Sequence, residues 1–397
     1  MSKSKKKVLK NKSVLLGVTG GVAAYKAIDL VRRLREEDAS VTVIMTGAAV
    51  NFVTPLSLET ASGNPVYSNL FSSPMAHITL PSRADVMVIA PATANIIGKF
   101  ACGIADDLLS TCFLSYNGAV VLAPSMNWRM YENPAVRENL VKLLSRGIQQ
   151  IGPERGSLAC GEEGIGRLAD VSDIVEAVKS SVSKKDLSKE KILITAGPTR
   201  EYIDPVRFLS NRSSGKMGYA LARAACRRGA EVTLISGPSH LVAPKRVCFV
   251  PVETGEDMLK AVNKYSPSST ILIMSAAVSD FRPEERATAK INKSAELLLK
   301  LVRTPDIIFE AGRKKIRPFI VGFAAETGLG IDKAKKKMIG KKMDMIIFNN
   351  VMEEGAGFDV DTNKVVIIDK EEEVNLPLMS KEAVAEAIFD RLMKIKA

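Results

Sequence analysis

The chain has 397 residues, of which 46% are hydrophobic and 25% charged, a composition typical of a globular protein with about two or three domains. No apolar run approaches the ~20 residues that span a bilayer, and the N-terminus lacks a secretory signal, so we expect a cytoplasmic protein with no membrane partner. The net charge of +12 is concentrated: six lysines lie in the first twelve residues. We interpret residues 1–12 as a basic disordered tail rather than a nucleic-acid-binding arm.

Apolar β-branched runs alternate with amphipathic helical segments in the first half. The predicted strands are residues 14–19, 41–45, 86–90 and 120–123, and the predicted helices include residues 23–37 and 134–146. Their continuous apolarity indicates strands that are buried on both faces of a parallel sheet. The first strand opens through a glycine turn, GVTGG, into a helix, where main-chain N–H groups can bind a phosphate.

A polar, charged segment, residues 184–190, separates the halves and reads as a linker. The strand pattern then restarts at residues 191–195, 232–235, 270–274, 319–322 and 345–348. Residues 364–369 are predicted to form a hairpin or edge strand, and residues 381–394 the final helix, with Ser380 as its N-cap. The fold class is therefore α/β, with two Rossmann-like domains, residues 13–183 and 191–397, whose mostly parallel sheets are covered by helices.

Candidate ligand groups in the first half follow its predicted strands. Thr93 and Asn95 follow one strand in APATAN, and Asn127 follows the next in PSMNWRMY. Ligands of open α/β sheets bind at this edge. Cys160 lies on the glycine-rich loop GSLACGEEGIGRLAD, where a thiol can exchange a proton with a ligand. The simpler alternatives are a tight turn for GVTGG, a helix N-cap for Asn127 and an incidental surface thiol for Cys160.

The second half carries its own candidate groups. The polar segment 196–218 offers Arg207, Asn211 and Lys216 to phosphates or a carboxylate, with an ordinary surface loop as the alternative. Lys337 and Lys341 are one helical turn apart, so both can reach one polyphosphate. Neither half contains a GxxxxGK[ST] phosphate loop, so nucleotide binding must follow another scheme.

Five motifs in the first half occur in order: GVTGGVAAYK, AHITL, ADVMVIAPATANIIGKFACGIADDLLST, PSMNWRMY and LACGEEGIGR. Together they resemble the flavin-dependent cysteine decarboxylases. The second half resembles the phosphopantothenate–cysteine ligases, and from about residue 12 the whole chain is similar to the bifunctional coenzyme A biosynthesis enzymes. The resemblance implies a flavodoxin-like flavoprotein domain followed by a ligase domain.

For the first half, the resemblance implies an FMN-dependent decarboxylation of 4′-phosphopantothenoylcysteine to 4′-phosphopantetheine. FMN serves as a temporary electron sink for the cysteinyl thiol, which lets the carboxylate leave. His77 is implied as the acid/base at the flavin, Asn127 as the group that binds this carboxylate, and Cys160 as the proton donor of the last step. The implied FMN contacts are Gly20, Val22, Thr46, Ala92, Thr93 and Asn95.

For the second half, the resemblance implies that the carboxylate of 4′-phosphopantothenate attacks CTP to give an acyl-cytidylate, from which the amine of cysteine displaces CMP. Lys290 would stabilise charge in the first step, Asn211 would hold the intermediate and Arg207 would assist the second step. One cluster reads KINK where the family has a pattern nearer KIKK, which affects only an accessory contact at Asn292. The implied CTP contacts are Ser275, Ala276, Asp280, Pro305, Asp306, Ile307, Ile308, Phe323, Lys337 and Lys341. Mg²⁺ should accompany the triphosphate, with Asp280 as a ligand.

Three other classes of protein compete with this interpretation. A nicotinamide dehydrogenase is disfavoured because neither half has GxGxxG followed by an acidic residue. A regulatory flavoprotein would typically have lost the histidine or the cysteine, and a nucleic-acid-binding protein is suggested by charge alone. The resemblance also implies a homo-oligomer, with trimers of the decarboxylase half and dimers of the ligase half combined in a dodecamer.

Overall fold

The structure, a computed structural model, describes residues 7–71, 74–157, 161–293, 297–328, 330–357 and 359–396. They form two compact units, a first unit of residues 7–183 and a second unit from residue 184 onward. Both units are α/β, with mostly parallel sheets covered by helices, which confirms the predicted fold class. No helix within the described residues is long and apolar enough to cross a membrane.

The first unit is built on a six-stranded parallel sheet in the order β3-β2-β1-β4-β5-β6. An antiparallel hairpin, β7–β8, lies outside this sheet. The strands are β1 Ser13–Val18, β2 Ser40–Met45, β3 Val66–Tyr67, β4 Val86–Ala92, β5 Ala119–Pro124, β6 Gln149–Gln150, β7 Glu154–Ser157 and β8 Glu163–Arg167. The strand order reverses between β1 and β4, where α/β proteins bind ligands.

Helices cover both faces of this sheet. They are α1 Lys26–Glu36, α2 Pro55–Ser62, α3 Ala76–Ser82, α4 Ala94–Cys102, α5 Leu108–Ser115, α6 Trp128–Glu132, α7 Pro134–Ser145 and α8 Val171–Val182. Alternate residues of β1 enter two different cores: Leu16 packs with α1 and α8, whereas Leu15 packs with α4 and α5. Burial on both faces explains why the strands read as continuous apolar runs.

Residues 7–12 differ from the predicted disordered tail. Leu9 is fully buried in the core of the first unit. The Lys12 ammonium lies 2.8 Å from the Asp85 carboxylate, and Lys7 donates to the main-chain oxygen of Glu36. The prediction is therefore wrong for residues 7–12, because one leucine supplies apolar burial and the neighbouring lysines find acceptors. Residues 1–6 lie outside the described residues.

The second unit contains an eight-stranded sheet in the order β13-β12-β9-β14-β17-β18-β20-β21. Its first six strands are parallel, β20 pairs antiparallel with β18, and β21 pairs antiparallel with β20. The strands of this unit are β9 Lys191–Ala196, β10 Arg200–Tyr202, β11 Phe208–Ser210, β12 Glu231–Ser236, β13 Val247–Pro251, β14 Ile271–Met274, β15 Phe281–Pro283, β16 Leu301–Arg303, β17 Phe319–Glu326, β18 Met345–Asn350, β19 Thr362–Asn363, β20 Val365–Asp369, β21 Glu373–Asn375 and β22 Met379–Ser380. The predicted hairpin strand is β20, which pairs with β21.

The helices of the second unit also cover both faces of its sheet. They are α9 Lys216–Arg227, α10 Gly255–Tyr265, α11 Ile307–Gly312, α12 Ile331–Gly340 and α13 Lys381–Lys396. The Ser380 hydroxyl accepts a hydrogen bond from the N–H of Ala383 at 3.2 Å, as predicted for the N-cap. The predicted linker is part of this unit, because Leu187 is fully buried in its core and Asp186 accepts two hydrogen bonds from Arg228.

Candidate active sites

A cavity of about 970 Å³ opens at the carboxyl edge of the first sheet, a size that suits a small ligand or cofactor. It is formed by the loops that follow β1, β2, β4 and β5. Six of the predicted first-half residues line it: Gly20, Val22, Thr46, Thr93, Asn95 and Asn127. Ala92 is fully buried at the end of β4, next to this group. The structure therefore gathers groups that are more than a hundred positions apart in the sequence.

Hydrogen bonds fix two of these loops to each other. The buried hydroxyl of Thr19 donates to the main-chain oxygen of Pro91 at 2.7 Å and accepts from the N–H of Thr93 at 3.1 Å. The same residue therefore joins the end of β1 to the loop after β4, across the point where the strand order reverses. Hydrogen bonds within the protein therefore hold this part of the cavity wall in place.

The cavity has free polar groups and close packing that fit a flavin phosphate. A Cβ atom on Gly20 would lie 2.4 Å from the Cβ of Ala48, so this loop accommodates only glycine. Among the described residues, the buried hydroxyl of Thr46 has no hydrogen-bond partner, and Thr93 makes no side-chain capping bond at the start of α4. Both hydroxyls can therefore bond a ligand that carries ring carbonyls or phosphate oxygens.

A charged pair that the sequence analysis did not single out also lines this cavity. The Lys99 ammonium lies 2.7 Å from Asp106 and 2.8 Å from Asp107. Burial opposes ionisation of the Asp107 carboxyl, but hydrogen bonds from Lys99 and Ser110 outweigh it and lower its pKa. Lys99 and Asp107 both lie within the long third motif, so that motif contained the signal for them.

The three predicted catalytic residues of the first half have different placements. Asn127 lines the cavity, and its side-chain oxygen also accepts from the N–H of Arg129 at 2.9 Å as the N-cap of α6. His77 is half-buried on α3, and its main-chain oxygen accepts from the Ser115 hydroxyl at 2.6 Å. It is not among the described residues that line the cavity of its own chain. Cys160 lies outside the described residues.

A second cavity, of about 760 Å³, opens at the carboxyl edge of the second sheet. It collects every predicted nucleotide contact: Ser275, Ala276, Asp280, Pro305, Asp306, Ile307, Ile308, Phe323, Lys337 and Lys341. Asn211 also lines it and donates to the main-chain oxygen of Val278 at 3.1 Å. The described residues contain no group of three or more metal-ligating side chains. A magnesium ion here would depend on Asp280 together with phosphate oxygens.

Arg207 and Lys290 are not among the described residues that line this cavity. The Arg207 guanidinium donates to the fully buried carboxylate of Asp204 at 2.9 and 2.5 Å, and to the main-chain oxygen of Ile291 at 2.9 Å. Asp204 in turn accepts from the N–H of Ile291 at 3.2 Å. The Arg207 hydrogen bonds hold the pKa of the Asp204 carboxyl far below its usual range. Arg207 therefore fixes the chain next to the exposed Lys290.

The polar residues of the second cavity that were not predicted from the sequence include Asn349 and Lys381. Asn349 lies near the end of β18 and Lys381 begins α13, and both line the cavity. Asn349 directly follows a predicted strand, so the rule that selected Asn127 would also have selected it. Lys381 gave no such signal, because a lysine at the start of a helix is ordinarily exposed.

Comparisons with known proteins agree with this two-part arrangement. Residues 2–183 match the family model "Flavoprotein", and residues 187–395 match "DNA/pantothenate metabolism flavoprotein C-terminal domain". The coenzyme A biosynthesis bifunctional protein CoaBC of Vibrio cholerae is 45% identical over 96% of this chain and 98% of its own. Its counterpart from Bacillus subtilis is 45% identical over 98% of each chain. The chain belongs to the bifunctional coenzyme A biosynthesis protein family.

A solved structure, the C-terminal domain of coenzyme A biosynthesis bifunctional protein CoaBC, is 40% identical with a TM-score of 0.47. It matches 53% of this chain and 98% of that one. The family assignment confirms the resemblance drawn from the five motifs. At the level of the family it also confirms the expectation of a bifunctional enzyme with decarboxylase and ligase halves and a flavoprotein domain.

Proposed function

We propose that the two cavities perform successive steps of coenzyme A biosynthesis. The second unit joins 4′-phosphopantothenate to cysteine with CTP, and the first unit decarboxylates the product with FMN. The observation that carries this proposal is that most of the predicted FMN contacts line one cavity and all the predicted CTP contacts line the other, each at the carboxyl edge of its own sheet. The product of one cavity is the substrate of the other.

In the first unit, Gly20, Val22, Thr46, Ala92, Thr93 and Asn95 would hold FMN. When bound, FMN supplies the electron sink that makes the loss of CO₂ feasible. Asn127 would orient the substrate carboxylate, and Cys160 would donate a proton in the last step. His77 would serve as the acid/base at the flavin.

The position of His77 supports a homo-oligomer in which a neighbouring copy completes the first cavity. Val22 and Tyr25 lie at this cavity with 59% and 60% of their surfaces exposed, which suits contact with another subunit. We propose trimers of the first unit and dimers of the second unit. Sedimentation at several concentrations tests this, and a monomer at micromolar concentration would contradict it.

In the second unit, Lys337 and Lys341 would bind the triphosphate of CTP, with Mg²⁺ at Asp280. Phe323, Ser275, Ala276 and the loop of Pro305, Asp306, Ile307 and Ile308 would complete the nucleotide site. The Lys341 ammonium lies 2.6 Å from Asp306, so the end of α12 is bonded to the loop that precedes α11. Lys290 would stabilise charge as the acyl-cytidylate forms, and Asn211 would hold that intermediate. Arg207 would assist the second step, and its hydrogen bond to Ile291 also holds the chain next to Lys290.

Lys290→Gln tests the ligase step. We expect it to abolish pyrophosphate release from CTP and 4′-phosphopantothenate, while the flavin spectrum stays unchanged. Substitution of the neighbouring exposed Lys293 by Gln serves as the matched control and should retain release. Undiminished pyrophosphate release by Lys290→Gln would show that Lys290 has no role in this step. If the unmodified protein releases pyrophosphate with ATP but not with CTP, the nucleotide substrate is ATP.

Cys160→Ser tests the decarboxylase step. We expect this variant to release CO₂ but to stop before 4′-phosphopantetheine, at an oxidised and already decarboxylated product that mass spectrometry detects. Cys112→Ser, at a buried cysteine in α5, is the control that should still form product. Full product formation by Cys160→Ser would exclude the proposed proton donor.

A further inference from the structure

The second cavity has two sides, divided by the edge of the sheet. Successive side chains of a strand point to opposite faces. In β18, Met345 and Ile347 pack into the core with α9 and α13, whereas Ile346 and Phe348 pack into the core with α12. Asn349 continues the first series and therefore faces α9 and α13. Lys337 and Lys341, proposed for the nucleotide, belong to the opposite, α12 side.

Asn349 has an unused hydrogen-bond acceptor at this cavity. Its side chain is only 9% exposed, and its amide nitrogen donates to the main-chain oxygen of Ala356 at 2.9 Å. Among the described residues, the buried side-chain oxygen has no hydrogen-bond partner. A buried acceptor without a partner destabilises the folded protein, so the presence of an asparagine at this position needs an explanation. A ligand that presents an N–H or O–H group supplies one.

Positive charge lies next to this acceptor. Lys381 is 6% exposed, and its ammonium donates to the main-chain oxygens of Val360 at 2.5 Å and Gly357 at 3.4 Å. Asn349 and Lys381 thus hold consecutive carbonyls, those of Ala356 and Gly357, in one loop. Lys216, at the start of α9, also lines the cavity and lies 2.7 Å from the exposed carboxylate of Asp361. The first turns of α9 and α13 add their N-terminal dipoles to this positive side.

We propose that the α9–α13 side of the second cavity binds a non-nucleotide substrate, through a hydrogen bond from its N–H or O–H group to the side-chain oxygen of Asn349. Lys216 and Lys381 attract the anionic group of the same molecule. This inference rests on the proposed ligase function. Cysteine offers an amine as the donor and a carboxylate as the anionic group. 4′-Phosphopantothenate offers hydroxyl and amide donors together with a phosphate and a carboxylate. The nucleotide occupies the α12 side.

Asn349→Leu tests this assignment, because leucine has the same number and branching of side-chain heavy atoms and no acceptor. Pyrophosphate release with all three substrates present reports the KM for each of them, when its concentration is varied and the other two are saturating. We expect the KM for one non-nucleotide substrate to rise about tenfold, as for the loss of one hydrogen bond, with the KM for CTP within about twofold of its original value. A rise for the phosphorylated acid identifies it as the bound molecule, and a rise for cysteine alone identifies the amine.

Lys341→Gln, on the α12 side, is the matched control and should raise the KM for CTP instead. Flavin absorbance and the unfolding midpoint establish that each variant is folded. If Asn349→Leu does not fold, Asn349→Ala carries the same expectation. An unchanged KM for both non-nucleotide substrates, or a rise confined to CTP, would overturn the inference. Failure of the unmodified protein to release pyrophosphate with any nucleotide would instead overturn the ligase function itself.

Discussion

The two cavities occupy the same place in their sheets but differ in their charges. In the first cavity, all the predicted contacts are uncharged residues. Its wall also contains Lys26, Arg167 and Lys99, of which Lys99 is already paired with Asp106 and Asp107. In the second cavity, Lys216, Lys337, Lys341 and Lys381 all line the wall. Uncharged contacts that permit close backbone approach suit a flat ring, whereas a wall with four lysines suits a triphosphate and a phosphorylated acid.

The parallel strands of both sheets follow the same order, so the strand order alone does not decide what a cavity binds. In the first unit, the wall is closely packed, as at Gly20. In the second, two of the lysines form ion pairs with acidic side chains: Lys341 with Asp306, and Lys216 with Asp361. These partly exposed ion pairs contribute little stability, so both lysines can leave their carboxylates and pair with phosphate oxygens instead.

The strongest test of close packing in the first cavity is Gly20→Val. The added side chain would overlap Ala48, so we expect complete loss of the flavin absorbance while pyrophosphate release by the second unit persists. Gly98→Ala, where a Cβ atom meets only a contact at 3.8 Å, is the control and should keep the flavin. A yellow Gly20→Val protein with unchanged FMN affinity would show that this loop does not form the site.

Leu9→Ala tests whether residues 7–12 belong to the first unit. Truncation of this fully buried side chain should lower the free energy of unfolding of the first unit by about 2–5 kcal/mol, measured by denaturant titration of flavin absorbance. Leu56→Ala, at a leucine that is 71% exposed, should change it by less than about 0.5 kcal/mol. Equal effects of the two substitutions would restore the disordered-tail interpretation.

Asp204→Asn tests whether charge positions the segment that carries Lys290. Loss of the carboxylate removes the charged partner of Arg207, so we expect pyrophosphate release to fall about tenfold with unchanged flavin content. Because the folded pKa of Asp204 is lowered, its contribution to stability is present above the ordinary carboxyl pKa and is lost as the pH falls toward the folded value. The variant should therefore show a weaker acid destabilisation of the second unit. Identical acid unfolding of both proteins would contradict this role.

The smallest expected effect is a change in substrate affinity at alkaline pH. Burial, with a further contribution from Lys216, lowers the pKa of Lys381 to about 8, although Asp359 and Asp361 oppose the shift. Above pH 8 the cavity loses a positive charge, so the KM for its anionic substrate should rise two- to threefold, roughly, by pH 9. Between pH 8 and the unfolded pKa, the folded state binds fewer protons than the unfolded state, so this group makes stability increase with pH. Lys381→Arg, which stays charged, should remove the change in KM, and a rise that persists in it would assign the effect to another group.

Much of this arrangement could be predicted because both sites follow from strands that the sequence marks clearly. Residues 120–123 and 270–274 were predicted to be buried strands. Because Asn127 and Asp280 come soon after them in the sequence, both were expected near the carboxyl edge of their sheet. The positions of His77 and Lys290 could not be predicted in this way, because they depend on how a short helix and a loop segment pack. The burial of Leu9 within a run of lysines, and that of Lys381 at the start of a helix, could not be predicted either. Both depend on contacts with residues that are distant in the sequence.

We propose that the second cavity makes the molecule that the first cavity consumes. To test this, the purified protein is given 4′-phosphopantothenate, cysteine and each nucleotide in turn, while CO₂ and pyrophosphate are measured together. We predict that the two accumulate in equal final amounts, with CTP, in a protein that has a flavin spectrum. Sustained pyrophosphate release without CO₂, or CO₂ that forms without any nucleotide, would contradict the account.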